Sequence, residues 1–206
     1  MRKLKAEEIE VRILEVNQYG CTLFLYKDAR CDQRILDETY GVMGWQRSHQ
    51  EVNNNLFCTV SVWDEINKQW ISKQDAGSQS SVESRKGHAS DSFKRACVNW
   101  GIGRELYTAP DIWIALGRDE RIEYEKDKYC CVSQFSVKEI AYKDSVISKL
   151  TIQDEKGYVR FSYPVSIDQY DIVKQKAEDI NRRVKQIIDK SIINKKMMGY
   201  EHERTK

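Results

Sequence analysis

Basic side chains are concentrated on one predicted helix near the middle of the chain. The helix covers Ser90–Trp100, ends at Gly101, and carries Lys94 and Arg95, while Lys86 lies four residues before it. Its apolar stripe consists of Ala89, Phe93, Ala96, Cys97 and Trp100. A helix that buries one side and carries cations beside it can hold those cations at fixed separation along a phosphate backbone, as single-strand binding requires.

A simpler interpretation of the same charges remains open. Asp91 and Arg95 stand at positions i and i+4 of the helix and can pair with each other on a solvated surface. Spacing alone does not decide between a phosphate-binding surface and an ordinary ion pair.

Other kinds of chemistry find less support. The sequence has no GxxxxGK[ST] phosphate loop, no HExxH and no GxSxG. Its three histidines are scattered, and its six cysteines form no CxxC pair; Cys58 and Cys97 stand where buried free thiols are expected. A nuclease-like site for a divalent metal would have to use the acids Asp37, Glu38, Asp64, Asp75 and Asp91, whose spacing does not demand one.

Composition is that of a folded protein. The 206 residues are 40% hydrophobic and 32% charged with only 2 Pro, and the net charge is +2, so affinity for nucleic acid would need clustered cations. The first residues lack the apolar run of a signal peptide, and nowhere do 18 uncharged apolar residues follow one another. We therefore expect a cytoplasmic protein with no membrane partner.

The elements around the basic helix are predicted to be mainly antiparallel strands. Ile9–Leu14 is ambiguous, Cys21–Tyr26 reads as a strand, and residues 27–40 read as a helix that stops at Gly41. A meander follows, with strands at Trp45–Val52, Leu56–Trp63 and Gln69–Lys73. In its middle strand, one face is wholly apolar: Leu56, Cys58, Val60 and Val62. Residues 77–84 read as a mobile loop.

The last third of the chain is predicted to form strands and then a helix. Strand character returns over Tyr129–Tyr163, with a turn at Asp154–Gly157. From Ser166 onward, apolar residues recur in steps of three and four, which indicates a long amphipathic helix that packs on its own sheet or joins neighbouring subunits. The predicted organisation is a domain over residues 1–165 and a C-terminal helix with a frayed tail over 166–206.

Three segments together resemble the Rad52 family of recombination proteins and their phage annealing relatives. The helix Ser90-Asp-Ser-Phe-Lys-Arg-Ala is similar to the family's [ST]-D-x-x-K-R-A helix. Leu36–Trp45 resembles its helix ending in an aromatic-Gly-x-x-Gly-Trp turn, and Trp70–Gly77 resembles its strand running into D-x-G. The resemblance spans about Ala6 to Pro110, and the segment after the helix is closer to bacterial and phage members.

The resemblance implies a fold and an activity. The fold is α+β: a twisted antiparallel sheet packed on helices in a β-β-β-α core, with a C-terminal hairpin and the long helix. The implied activity is binding of single-stranded DNA in a basic groove and annealing of complementary strands without ATP, in recombination and double-strand break repair. The implied assembly is a homo-oligomeric ring, with a recombinase or single-strand binding protein as a further partner, and neither a metal nor another cofactor is expected.

Residue by residue, the resemblance assigns DNA contacts to seven cations. Lys94 and Arg95 match the family's paired groove cations, and Lys86 lies at a position that is often basic. Arg30 and Arg34 flank the place of another DNA-contacting arginine. Two weaker candidates are Lys73 and Arg104, the latter of which either reaches phosphate or forms a structural salt bridge. The alternatives to this function are the metal-dependent nuclease and an oligomerising structural protein that ignores DNA.

Overall fold

The computed structural model describes residues 1–77, 85–164 and residue 182. The chain divides into two compact units, Met1–Pro164 and Val165–Lys206, and the description below concerns the first. The predicted C-terminal helix over residues 166–206 lies outside the described residues, apart from Arg182, and so does the predicted loop from residue 78 to residue 84.

The first hairpin leads directly into the first helix. Strands β1 (Glu10–Val16) and β2 (Gly20–Tyr26) pair antiparallel, and helix α1 (Ala29–Tyr40) follows. The Asp28 side chain accepts a hydrogen bond from the Cys31 backbone N–H (2.8 Å) and so caps the helix N-terminus. Gly41 ends the helix with φ of +74°, a conformation that favours glycine, which confirms the predicted stop.

The predicted meander is present as a three-stranded antiparallel sheet. It consists of β3 (Trp45–Val52), β4 (Asn55–Asp64) and β5 (Gln69–Ala76), with β4 in the centre. Helix α2 (Arg85–Asn99) packs against β4 and β5. The predicted apolar face of β4 is confirmed, because Cys58, Val60 and Val62 are all buried. The helix begins five residues earlier than expected, so Lys86 lies in its first turn and not upstream of it.

A larger sheet has six strands in the order β11-β10-β9-β1-β2-β6. Its remaining members are β6 (Ile112–Ala115), β9 (Phe135–Lys143), β10 (Val146–Asp154) and β11 (Val159–Tyr163). The sheet curls so that its end strands meet, and Arg160 of β11 donates a hydrogen bond to the Ala115 carbonyl of β6 (2.8 Å). The same guanidinium pairs with Glu120 (2.5 Å) and Asp154 (3.3 Å).

A separate hairpin and three short 3-10 turns complete the described elements. The hairpin is formed by β7 (Arg121–Glu125) and β8 (Lys128–Cys131). The 3-10 turns cover Ala6–Glu8, Arg104–Thr108 and Arg118–Glu120.

The α+β class and the antiparallel pairing are confirmed, whereas the expected arrangement of one twisted sheet with a C-terminal hairpin is not. The described strands are divided among three sheets. Most of the ambiguous segment Ile9–Leu14 lies in β1. Strands β6 and β7 were not predicted, and β8 overlaps the start of the predicted strand region Tyr129–Tyr163. Period-two alternation identifies strands but does not specify their partners, and β1 finds its second partner in β9, more than a hundred residues away.

The core draws on both helices and both larger sheets. Its most completely buried large side chains include Phe93 of α2, Ile35 and Leu36 of α1, and Leu150 and Ile152 of β10. Cys58 and Cys97 are buried free thiols as predicted. Burial also raises the pKa of the Cys58 thiol to about 11, so it stays protonated at neutral pH.

Candidate nucleic-acid interface

The packing of α2 determines which of its side chains reach solvent. Phe93, Ala96 and Cys97 are 0% exposed, which confirms the predicted stripe. Trp45 stacks on Phe93 with ring centroids 6.1 Å apart, and the Arg47 guanidinium covers the same ring at 4.5 Å. The helix is therefore held from one side, and the neighbours of the stripe are presented at its outer edge.

Lys94 is largely covered by its neighbours. Its side chain is only 14% exposed, and its ammonium donates a short hydrogen bond to the Tyr26 hydroxyl while lying 4.2 Å from the centre of that ring. The Asp91 carboxylate is 3.9 Å away. A cation–π contact and a hydrogen bond thus fix the ammonium at the end of β2.

Arg95 follows Lys94 but is far more open to solvent. Its side chain is 45% exposed, and its Nε lies 3.6 Å from a carboxylate oxygen of Asp75 on β5. Exposed pairs of this kind contribute little to stability, typically about 0–1 kcal/mol. The guanidinium can therefore exchange this partner for another anion at small cost.

Lys94 and Arg95 both line a cleft of about 260 Å³. The cleft is bounded by the end of β2, the outer side of α2 and the 3-10 turn that follows it. Its lining residues are Leu25, Tyr26, Lys27, Asp91, Lys94, Arg95, Val98, Gly103, Leu106 and Tyr107. Three cations and two tyrosines therefore share one concave surface, a combination suited to an anionic ligand with aromatic groups.

The base of the cleft contains a buried ion pair. Lys27 is 6% exposed and Asp32 is 0% exposed, and the Lys27 ammonium donates a short hydrogen bond to the Asp32 carboxylate. The second Asp32 oxygen is buried and has no hydrogen-bond partner in the part of the chain that the structure describes. Burial, opposed by Lys27, raises the pKa of Asp32 to about 6.

Lys73 and Arg104 converge on the end of α2. The Lys73 ammonium donates to the Asn99 carbonyl (2.9 Å) and lies 4.4 Å from the Trp100 ring centre. The Arg104 guanidinium donates to the carbonyls of Val98 (2.8 Å) and Asn99 (3.1 Å). Both cations thus satisfy carbonyls at the helix C-terminus, so neither needs a nucleic-acid ligand to account for its position.

Two further predicted cations, Arg30 and Arg34, are not among the residues that line the cleft. Arg30 and Arg34 lie exposed on α1; Arg34 is 3.7 Å from the Glu8 carboxylate, and Arg30 forms no ion pair with a described residue. The backbone of Lys86 lies two helical turns before Lys94, about 12 Å along the axis.

Two residues of the site escaped prediction. Arg12 of β1 stacks on Tyr26 with its guanidinium carbon 3.3 Å from the ring centre, which adds a cation beside Lys94. Tyr107 projects from the 3-10 turn and is 73% exposed. No pattern pointed to either residue, because Arg12 reaches Tyr26 through the pairing of β1 with β2, and Tyr107 lines the cleft with Tyr26 only in the folded chain.

The five acids of the nuclease alternative have separate partners. Asp37 accepts a hydrogen bond from the Trp45 indole (2.7 Å), Glu38 pairs with Arg2, and Asp64 accepts from the N–H groups of its own turn. Asp75 and Asp91 lie beside Arg95 and Lys94 as described above. Within residues 1–77 and 85–164, no group of three or more His, Cys, Asp or Glu side chains is placed to hold a metal ion.

Trp100 of the predicted stripe and Trp45 both pack within the fold. Trp100 donates its indole N–H to the Val60 carbonyl (3.1 Å) and contacts Tyr40 edge to face. Trp45 is engaged by Phe93 and Asp37. Neither ring lies among the residues of the cleft.

The first unit is thus an α+β protein in which a basic helix edge borders a cleft with aromatic walls. Residues 1–128 match the model of a family described as Rad52/22 family double-strand break repair protein. The chain belongs to this family, which confirms the resemblance and places the protein in DNA repair and recombination. The match extends beyond Pro110, where the resemblance was expected to end. No curated protein matches the chain.

None of the described helices is long and apolar enough to span a membrane.

Proposed function

We propose that this protein binds single-stranded DNA and anneals complementary strands without nucleotide hydrolysis or a metal. The observation that carries the proposal is the placement of two consecutive cations of α2, Lys94 and Arg95, at one cleft. Membership of a double-strand break repair family supports the same conclusion.

The two cations would serve different purposes. Lys94 is held in place by Tyr26, so it offers a charge whose position is already defined before DNA arrives. Arg95 is exposed, and its planar guanidinium suits bidentate contact with phosphate. Arg12, which contacts the same Tyr26 ring, would add to the local positive potential. Contacts of this kind bind the backbone and are independent of base sequence.

Annealing is possible because the protein would bind the DNA backbone and not the bases. If the protein holds the phosphates, most bases of the bound strand stay available to a complementary strand, and their pairing drives the reaction. The protein then needs only to bring strands together and reduce the repulsion between their backbones. No nucleotide-hydrolysis site is required by this mechanism.

The proposal includes assembly of several copies into a ring. The three-stranded sheet supports it, because both outer strands, β3 and β5, have one edge without a paired strand among the described residues. Unpaired edges can accept a strand of another chain. The mass of the particle in solution, measured by sedimentation or mass photometry, tests this part; a monomer at micromolar concentration contradicts it. Binding to a recombinase or a single-strand binding protein is a separate proposal, which a pull-down with each purified candidate tests.

The main test combines annealing with salt dependence of binding. Two complementary fluorescent oligonucleotides are mixed without ATP or metal, and binding of one of them is titrated at several salt concentrations. Lys94→Ala with Arg95→Ala is expected to slow annealing, weaken binding to every sequence, and flatten the log–log salt slope by about 0.7 per lost phosphate contact.

A matched control separates the site from bulk charge. Lys68→Ala with Lys128→Ala removes the same charge from two exposed lysines, each of which pairs with a glutamate three residues before it. This control should retain the salt slope of the unaltered protein. An unchanged slope in the folded Lys94/Arg95 variant would overturn the proposal, and rings without DNA binding would instead identify a purely structural protein.

A further inference from the structure

The cleft beside Lys94 and Arg95 has properties that phosphate binding does not use. Apolar side chains of Leu25, Val98 and Leu106 are part of its lining, and its volume of about 260 Å³ is somewhat below the roughly 300–1,000 Å³ of sites for drug-sized ligands. A phosphate needs neither apolar lining nor a concave wall. A small planar ring needs both.

Tyr107 supplies a wall on which such a ring can stack. It is 73% exposed although it lies on a firmly held turn: the Thr108 hydroxyl donates to the Glu105 carbonyl (2.6 Å) and accepts from the Ile147 N–H (2.9 Å). Residues three apart in a 3-10 turn share one side, and Arg104, three residues earlier, is also exposed. The aromatic ring is therefore presented to solvent from a backbone anchored to β10.

The ring of Tyr26, the other tyrosine of the cleft, is already in contact with two cations. The Arg12 guanidinium lies 3.3 Å from its ring centre, and the Lys94 ammonium lies 4.2 Å from the same point. Its hydroxyl accepts the Lys94 hydrogen bond. Of the two aromatic residues that line the cleft, Tyr107 is thus the one whose ring is open to a ligand.

We propose that the cleft takes one nucleobase of the bound strand, stacked on Tyr107, while Lys94 and Arg95 hold the adjoining phosphates. This inference rests on the proposed binding of single-stranded DNA and adds a base-binding position to it. In each protomer, the base held in the cleft would then be unavailable for pairing with the complementary strand. Stacking of this kind accepts any base, because every base has a π face.

The experiment compares strands with and without bases. Binding of a deoxythymidine oligonucleotide and of an oligonucleotide of equal length built only from abasic tetrahydrofuran units is measured at one low salt concentration. The proteins are the full chain and its variants Tyr107→Ala and Tyr107→Phe. The matched control is Tyr158→Ala, which removes a tyrosine of similar exposure, 67%, that does not line the cleft.

The expected result is a loss that depends on the bases. Tyr107→Ala should bind the thymidine strand about 5- to 150-fold more weakly and the abasic strand as the unaltered protein does, while Tyr107→Phe and Tyr158→Ala retain binding to both. Equal binding of the thymidine strand by Tyr107→Ala and the unaltered protein would overturn the inference, and so would an equal loss on both strands. Because abasic-strand binding reports phosphate contacts alone, the inference can fail while the proposed function stands; if the unaltered protein binds neither strand, the proposed function fails.

Discussion

Replacing Lys27 by methionine would leave the Asp32 carboxylate buried without its cation. Asp32 is 0% exposed, Lys27 is its hydrogen-bonded partner, and its second oxygen accepts no hydrogen bond from the described residues. Removal of one member of a buried pair typically costs about 3–5 kcal/mol, because an uncompensated charge stays behind. For a unit of this size, that loss corresponds to a fall in Tm of roughly 6–20 °C at 2–4 °C per kcal/mol.

The pKa of Asp32 gives this loss a definite pH dependence. Burial raises that pKa to about 6 from its ordinary 3.8, so the folded state binds the proton more tightly, and stability falls as pH rises from about 4 to 6. Lys27 lowers the same pKa, so its removal raises the value further and extends the decline above pH 6. The gap between variant and unaltered protein should be small at pH 5 and reach its full size at pH 8.

Urea unfolding, followed by circular dichroism at pH 5 and pH 8, measures the gap directly. The control is Lys27→Met with Asp32→Leu, which removes both charges and should stay within about 1–2 kcal/mol of the unaltered protein, since apolar replacement of a whole buried pair is often neutral. A loss below about 1 kcal/mol for Lys27→Met at pH 8, or an equal loss at pH 5, would refute the reasoning.

Three further predictions concern other parts of the structure. Glu120→Gln should destabilise the protein at pH 7 but much less at pH 2, since its arginine partner lowers the Glu120 pKa to about 2 and the stabilisation is lost as pH falls from 4.5; acid titration of the melting temperature checks this. Gly103→Ala should cost at least about 1–2 kcal/mol in urea unfolding, because φ is +69° and the new Cβ would lie 2.2 Å from Lys27 Cε. Asp75→Asn should strengthen DNA binding a few-fold in a binding titration, because it frees Arg95 from its carboxylate partner. If the unaltered protein instead cleaves DNA with magnesium and the variant does not, the nuclease alternative is supported.

Helix α2 shows which features the sequence pattern predicts and which it misses. Its apolar stripe was predicted correctly because 3.6-residue periodicity depends only on local geometry, and Phe93, Ala96 and Cys97 are buried as expected. The strand Trp45–Val52 also matches its predicted bounds, because the turn residues Asn53 and Asn54 mark its end in the sequence. The helix start at Arg85 was missed, since Gly87 in its first turn is a poor helix former and Ser90 is itself a suitable first cap for the apolar stripe that follows.

The cations near the predicted site differ in the partners that they contact in the folded chain. By sequence, Lys73 and Arg104 looked like further DNA contacts, yet both bind carbonyl groups at the end of α2. Arg12 had no recognisable motif, yet it stacks on Tyr26 beside Lys94. A positive charge is visible in the sequence, but the partner that it finds depends on which distant backbone or ring lies within reach.

Local sequence patterns were thus enough to predict the α+β class, the antiparallel strands and the buried side of α2. They also placed Lys94 and Arg95 at the edge of that helix. These follow from residue periodicity and from motifs contained in single segments. Tertiary structure alone decided the division into three sheets, the pairing of β1 with β9, and the cleft itself. The cleft unites the end of β2, one edge of α2 and Tyr107, and contacts between such separate segments arise only when the chain packs around a common core.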